Sequence, residues 1–222
     1  MATTTATRRL AAILAADVVG YSRLMGADEE GTHERFKAHL RELVAPKITE
    51  HHGRIVKTTG DGVLAEFASV VEAVRCGAEI QHAMTDCDLD LAEERRLRFR
   101  IGVNLGDVIA DGGDIYGDGV NIAVRLEGLA APGGVCVSGT VRDHIGDRLP
   151  YAFEDMGEQN VKNIARPVRV YALRPGDMAK VAPASMSSTL YHRRRLVSRS
   201  HMLARRVHPL GATSVHLVPR AP

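Results

Sequence analysis

The sequence contains no tryptophan, and aromatic residues make up only 4% of its 222 residues. Proteins that bind single-stranded nucleic acids without sequence preference rely on aromatic side chains on which the bases stack. The shortage of aromatic residues therefore argues against such a module, and we expect no stable nucleic-acid partner.

Cysteine is also scarce, and no long apolar run is present. The three cysteines, Cys76, Cys87 and Cys136, show no CxxC spacing and no pairing pattern, which indicates free thiols in a reducing compartment. The apolar stretch LAAILAA at 10–16 is too short to span a bilayer and lacks a signal-peptide cleavage pattern. We therefore expect a cytoplasmic protein without a transmembrane segment.

The net charge of +2 is unevenly distributed along the chain. The segment 176–222 holds eight lysines and arginines but one acidic residue, Asp177, so the rest of the chain is mildly acidic. Apolar periodicity ends at Pro175, and we predict a basic, disordered tail over 176–222 and a flexible N-terminus over 1–7. The tail is either a solvated extension or a segment that makes weak contact with an anionic surface.

Hydrophobic periodicity between these ends predicts a mixed α+β domain. Strands or hairpins are predicted at 8–22, 54–67, 97–111, 133–141 and 151–173, helices at 28–53, 69–86 and 120–130, and a glycine-rich loop or short arm at 112–119. Pro46 is expected to kink the first helix. The order β-α-β-β-α-β-α-β fits a ferredoxin-like split βαβ sheet with additional helices and a C-terminal hairpin.

Two aspartates stand where the predicted strands end. Asp17 follows a buried strand, where a carboxylate is costly unless a cation meets it. Asp61 lies between Gly60 and Gly62 in the turn of the 54–67 hairpin. If the two strands are neighbours, both carboxylates face one space and could bind Mg²⁺. The alternative is that each aspartate merely caps a turn, which is common for aspartate.

Four segments in this order resemble the class III nucleotidyl cyclase catalytic domain. They are AADVVGYSRLM at 15–25, GRIVKTTGDGVLAEF at 53–67, DIYGDGVNIAVRLEGLA at 114–130 and GEQNVKNIARPVRVYAL at 157–173. The resemblance covers about 8–174, so we assign 8–175 to this domain and expect the nucleotide cyclase fold. The sequence is similar to the soluble adenylyl cyclases of rhizobia.

The resemblance implies a site for two divalent ions, Mg²⁺ or Mn²⁺, and for the phosphates of ATP. Asp17 and Asp61 match the metal-binding aspartates, and the carbonyl of Val18 matches a further metal contact. Such a pair of ions serves in-line displacement at phosphorus. The residues that match the phosphate-binding positions are Gly20, Tyr21, Ser22 and Lys162. Asn163 stands where glycine is frequent in the family, which weakens the assignment of Lys162.

The resemblance also implies a preference for adenine. Lys57 and Asp114 match the base-selecting pair, in which a lysine donates to N1 of adenine and an aspartate accepts from its N6 amino group. Guanine offers the reverse pattern of donor and acceptor. Asn121 and Arg125 lie four residues apart, share a helix face, and match the residues that orient the ribose and stabilise the charge on the α-phosphoryl group.

In this family the active sites lie between two protomers, so the resemblance implies a homodimer with composite sites. Lys57 and Asp61 could form a salt bridge from position alone, but the resemblance places them in two different sites. No histidine in the four segments suits a catalytic base, and we expect His51 and His52 at the surface. The alternatives are a guanylyl cyclase or a non-catalytic ferredoxin-like module that binds nucleotide or RNA.

Overall fold

The structure, a computed structural model, describes residues 7–162 and 164–174. The predicted tail, most of the predicted flexible N-terminus and Asn163 lie outside the described residues. The strands are β1 (Thr7–Val18), β2 (Arg54–Thr59), β3 (Gly62–Phe67), β4 (Phe99–Asp111), β5 (Asp114–Tyr116), β6 (Val135–Ser138), β7 (Glu154–Gln159) and β8 (Val168–Leu173). The α-helices are α1 (Tyr21–Ala27), α2 (Glu29–His39), α3 (Ala45–Glu50), α4 (Val70–Thr85), α5 (Asp118–Leu129) and α6 (Gly139–Ile145).

The strands form one sheet in the order β2-β3-β1-β4-β6-β8-β7, and β5 pairs with the far end of β4. The first four strands of this order are antiparallel and have the arrangement of a split βαβ unit, which confirms the predicted fold class. β6 then adds parallel to β4, and the predicted C-terminal hairpin is β7 and β8.

Strand β1 lies at the centre of the core and is covered on both faces. Ala11, Ile13 and Ala15 pack on the side of α5, because alternate residues of a strand point to the same face. Leu14 points to the opposite face, where it lies against α4. A strand buried on both faces has a continuous apolar sequence, and this explains residues 11–16 of the run, whereas Leu10 is exposed.

Two predicted elements differ in the structure. The strand predicted over 133–141 ends at Ser138, where α6 begins. The Ser138 hydroxyl accepts a hydrogen bond from the Val141 N–H at 3.4 Å and so caps this helix. The long first helix was expected to kink at Pro46. The chain instead forms a π-helical turn at Leu40–Val44 and restarts as α3, with Pro46 in its first turn, where a missing N–H costs little.

The expected surface position of His51 is wrong. His51 is buried between α3 and α4, where its two ring nitrogens lie 2.7 Å from Glu72 and 3.2 Å from Glu79. Lys47 also pairs with Glu79, at 2.8 Å. His52 is exposed as expected. None of the helices that the structure describes has the length and apolar character needed to cross a bilayer.

Candidate active site

The structure brings Asp17 and Asp61 together at one edge of the sheet. Asp17 is the last-but-one residue of β1 and lies opposite Gly62 of β3, the neighbour of Asp61. The Val18 N–H donates to the Asp61 carbonyl oxygen at 3.2 Å. Burial raises the pKa of Asp17 to about 6, and the Asp61 carboxylate adds to this increase. Two carboxylates with too little positive charge between them form a site that attracts a cation.

The absence of a side chain at Gly62 allows β1 and β3 to approach at this point. A Cβ there would lie 2.8 Å from the Ala16 carbonyl oxygen and 3.2 Å from Oδ1 of Asp17. Any other residue at this position would therefore push the hairpin turn away from β1. Glycine at position 62 keeps the Asp61 turn beside Asp17.

The donor set fits a magnesium-type ion. In the part of the chain that the structure describes, no group of three or more His, Cys, Asp or Glu side chains is arranged to hold a metal. Mg²⁺ is usually bound by one or two carboxylates, with water and substrate phosphates completing its coordination. Asp17 and Asp61 supply this number of carboxylates, and the backbone of Val18 lies beside them.

The sequence analysis missed two charged residues of this site, Arg100 and Glu127. Arg100 lies opposite Asp17 on β4, with its Nη2 3.9 Å from Oδ2 of Asp17. Its Nε lies 3.3 Å from Glu127 on α5, which is only 8% exposed. Burial raises the pKa of Glu127 to about 7, and Asp17 adds to this increase. One signal was available, because Arg100 stands between the two apolar residues Phe99 and Ile101 of a buried strand.

The residues predicted to hold phosphate begin immediately after β1. Gly20 adopts a left-handed conformation with φ of 64°, which glycine adopts without strain, and α1 follows it. The ring of Tyr21 packs edge-on against Phe36 at 5.7 Å between centroids, and burial and then Asp61 raise the pKa of its hydroxyl. Ser22 is exposed. These residues therefore adjoin the aspartate pair.

Lys57 and Asp114 form a second group. Nζ of Lys57 lies 2.8 Å from Oδ2 of Asp114, and within the described residues no ion pair joins Lys57 to Asp61. The neighbours Val56 and Ile115 pack into the core on the α5 side, so Lys57 and Asp114 point away from it. The hydrogen bond from Lys57 lowers the pKa of Asp114, which keeps this carboxylate ionised.

Asn121 and Arg125 are both exposed on α5, while Ala123 and Leu126 of the same helix are buried. Lys162 is exposed in the connection between β7 and β8. No hydrogen bond or ion pair recorded for residues 7–162 and 164–174 links these side chains to the Asp17 and Asp61 pair or to the Lys57 and Asp114 pair. One chain thus presents the predicted site residues as separate groups.

Comparisons with known proteins find similar sequences and a similar structure. The sequence model of the family described as "Adenylate and Guanylate cyclase catalytic domain" matches residues 6–175. A protein of Rhizobium meliloti (strain 1021) that bears the name "Putative adenylate cyclase 3" is 49% identical over 176 residues, which are 79% of this chain and 30% of that protein. The "pH-sensitive adenylate cyclase MT1302" of Mycobacterium tuberculosis is 30% identical over 171 residues, with 72% and 40% covered.

A solved structure shows the same fold. The crystal structure titled "Adenylate/Guanylate Cyclase/Hydrolase from Silicibacter pomeroyi" superposes with a TM-score of 0.73 at 49% identity, and the match covers 77% of this chain and 99% of that one. The chain spans less than half the length of the two curated relatives.

Proposed function

The chain belongs to the adenylate and guanylate cyclase catalytic domain family, and from this premise we propose that it is an adenylyl cyclase. It converts ATP to 3′,5′-cyclic AMP and pyrophosphate for second-messenger signalling. The proposed enzyme is a homodimer with composite active sites, each holding two Mg²⁺ or Mn²⁺ ions. Names of the relatives and of the solved structure support cyclase activity.

The observation that carries the choice of ATP is the Lys57 and Asp114 pair. An ammonium and an ionised carboxylate stand side by side at 2.8 Å and are partly exposed. Adenine presents an acceptor at N1 beside a donor at N6, so each atom of the base edge finds its complement. Selection for adenine is therefore built from one donor on β2 and one acceptor on β5, held opposite N1 and N6 respectively.

The Asp17 and Asp61 pair supplies the proposed metal site. Divalent ions bound there would neutralise phosphate charge and lower the pKa of the ribose 3′-hydroxyl. The two carboxylates hold the ions, and Arg100 places a further positive charge beside them. The turn that follows Asp17 along the chain presents backbone N–H groups to the phosphates, at Gly20, Tyr21 and Ser22. Lys162 is the proposed contact to the terminal phosphates.

Asn121 and Arg125 are the proposed catalytic residues of α5. The amide orients the ribose, and the guanidinium stabilises the charge that develops on the α-phosphoryl group. Their exposure on α5, separate from the aspartate pair of the same chain, supports a site completed by a partner protomer. One protomer gives the aspartates, and its partner gives Lys57, Asp114, Asn121 and Arg125.

Cysteine environments support the proposed cytoplasmic location. Cys76 and Cys136 are buried free thiols. Burial raises the pKa of Cys136 to about 11, which makes it unreactive at neutral pH. The three cysteines form no disulfide, which fits a reducing compartment.

Product identification tests the proposed activity. Purified protein is incubated with ATP or GTP in the presence of Mg²⁺ or Mn²⁺, and the products are resolved by chromatography and mass spectrometry. The expected result is cyclic AMP from ATP, with loss of activity in Asp17→Ala. Cyclic GMP as the main product would indicate a guanylyl cyclase. Nucleotide binding without turnover by an intact dimer would indicate a binding module and overturn the proposal.

Mixing of two inactive variants tests the composite site. Asp61→Ala and Asn121→Ala are purified separately and then mixed under conditions that exchange protomers. In the heterodimer one site contains both substitutions and the other contains neither. Each heterodimer should therefore have about half the activity of a wild-type dimer. Heterodimers that form but stay inactive would contradict a site shared between protomers.

A further inference from the structure

Tyr116 is a large, half-exposed aromatic residue that the proposed function has not used. It ends β5, the three-residue strand that begins with Asp114. Ile115 between them is 1% exposed and belongs to the core. Because alternate residues of a strand share a face, burial of Ile115 turns Asp114 and Tyr116 to the same outer side.

Tyr116 contacts Lys57 and lies on the same side of β5 as Asp114. Nζ of Lys57 lies 5.5 Å from the centroid of the Tyr116 ring, within the range of a cation–π interaction. The Asp114 carboxylate raises the pKa of the Tyr116 hydroxyl, because the two groups lie on the same side of β5. The second oxygen of that carboxylate accepts from the Ile115 N–H at 2.7 Å. The aspartate is thus held by Lys57 and by the Ile115 N–H, and the lysine by Asp114 and by the Tyr116 ring.

A lysine and an aspartate select adenine over guanine only when their order along the base edge is fixed. Adenine offers an acceptor at N1 beside a donor at N6, and guanine offers a donor at N1 beside an acceptor at O6. If the two side chains could exchange places, the lysine would donate to O6 and the aspartate would accept from N1–H. Discrimination therefore depends on which side of the base edge each group is held.

The pair alone is poorly suited to keep this order. The side chains of Lys57 and Asp114 are 41% and 28% exposed, and exposed ion pairs restrain two flexible side chains only weakly. An aromatic ring that contacts Lys57 beside Asp114 restricts their exchange at little entropic cost, because tyrosine has only two side-chain torsions.

We propose that Tyr116 is a positioning residue that fixes the order of Lys57 and Asp114 along the base edge and so sets the preference for adenine over guanine. The inference rests on the proposed function, since it concerns the base pocket of the same site. It assigns Tyr116 a role in specificity and none in the chemical step.

The experiment compares Tyr116→Leu and Tyr116→Phe with the wild type in the full chain. The leucine variant loses the ring and the hydroxyl, whereas the phenylalanine variant keeps the ring over Lys57. Tyr171→Leu is the matched control, because Tyr171 lies under Arg169 at a similar 5.6 Å but in β8. For each protein, kcat and KM are measured with ATP and GTP, and thermal unfolding checks the fold.

The expected result is a fall of about tenfold in the ratio of kcat/KM for ATP to that for GTP in Tyr116→Leu, from the loss of the ring that restrains Lys57. The fall should come from a higher KM for ATP together with a higher kcat/KM for GTP. Tyr116→Phe should recover part of the ratio, and Tyr171→Leu should leave it unchanged. A gain with GTP is the diagnostic result, because a loss of stability would lower both activities.

A Tyr116→Leu ratio within twofold of the wild type, or a proportional fall with both nucleotides, would overturn the inference. Binding of 3′-deoxy-ATP and 3′-deoxy-GTP, which lack the attacking hydroxyl, provides a readout that needs no turnover. If the wild type cyclises neither nucleotide, the proposed function fails while the binding ratio still tests Tyr116. If binding is selective in the wild type and equally selective in Tyr116→Leu, the inference fails alone.

Discussion

The contact between α5 and β4 depends on the missing side chain of Gly102. A Cβ added there would lie 2.9 Å from Cα of Glu127, and closer still to the Glu127 nitrogen and the Ala123 carbonyl oxygen. Unstrained carbon contacts need about 3.5–4.0 Å, so the helix and the strand would have to separate by about 1 Å. All three atoms belong to the backbone of α5, so no rotamer change can relieve the clash.

We therefore expect Gly102→Ala to lower the free energy of unfolding by about 3 kcal/mol, the upper end of the usual cost of overpacking. Urea unfolding followed by far-UV circular dichroism measures this loss. The matched control is Gly128→Ala on the same helix, where an added Cβ meets nothing within 4 Å. Alanine is the better helix former, so this variant should gain about 0.5–1 kcal/mol.

The same change should reduce the proposed cyclase activity, because α5 carries the proposed catalytic residues Asn121 and Arg125. A shift of about 1 Å at a catalytic residue can cost on the order of 100-fold in rate. Activity is measured well below the unfolding temperature of the variant, so that lost fold and lost geometry are separated. A Gly102→Ala protein as stable and active as the control would refute the close packing of α5 on β4.

Three further predictions concern individual side chains. The neutral form of Asp17 is favoured in the folded state, where its pKa is about 6 against an ordinary 3.8, so its contribution to stability is present below pH 3.8 and lost as the pH rises through 6. In chelator-treated protein, Asp17→Asn should therefore gain stability relative to the wild type between pH 4 and 8. If the free energies of unfolding of the two proteins, plotted against pH, run parallel, the prediction is wrong. Burial alone would lower the pKa of His39, but hydrogen bonding, in which Asp88 contributes most, raises it to about 9 from 6.5. The contribution of protonated His39 to stability should thus be complete below pH 6.5 and lost as the pH rises through 9. His39→Gln should remove this alkaline loss of stability, as measured by urea unfolding. The Ser69 hydroxyl caps α4 by accepting a hydrogen bond from the Glu72 N–H at 3.3 Å. Ser69→Ala removes this cap and should lower the stability measured by thermal unfolding by about 1 kcal/mol. No change in stability would mean that water replaces the cap.

The elements governed by local pattern could be predicted from the sequence. The alternation in 97–111 and the glycines that bracket Asp61 act over a few residues, and the structure has β4 and the β2–β3 hairpin at these places. The order of elements then restricts the sheet to few topologies. The neighbourhood of Asp17 and Asp61 follows, because β1 and β3 are adjacent in a split βαβ sheet.

Features that depend on register and on packing between distant segments could not be predicted. Arg100 reaches Asp17 only through the register of β1 against β4, which a single sequence does not specify. His51 is polar and ends a helix, so its burial becomes visible only when α4 supplies Glu72 and Glu79. The helix α6 is short, and its cap at Ser138 competes with a strong strand pattern in the preceding residues.

The direction of the pKa shifts separates the candidate active site from the structural ion pairs. Burial would also raise the pKa of Asp88 and Glu79, but hydrogen bonds from cationic partners lower it, so these carboxylates are neutralised within the chain. Asp17 and Glu127 shift the opposite way, toward about 6 and 7, because burial and neighbouring carboxylates outweigh the single guanidinium of Arg100. A chain selected for stability alone would gain by adding a cation here or removing a carboxylate. This unmet negative charge lies where β1 ends and β3 begins, and it supports the proposal that the counter-charge arrives there with metal and nucleotide.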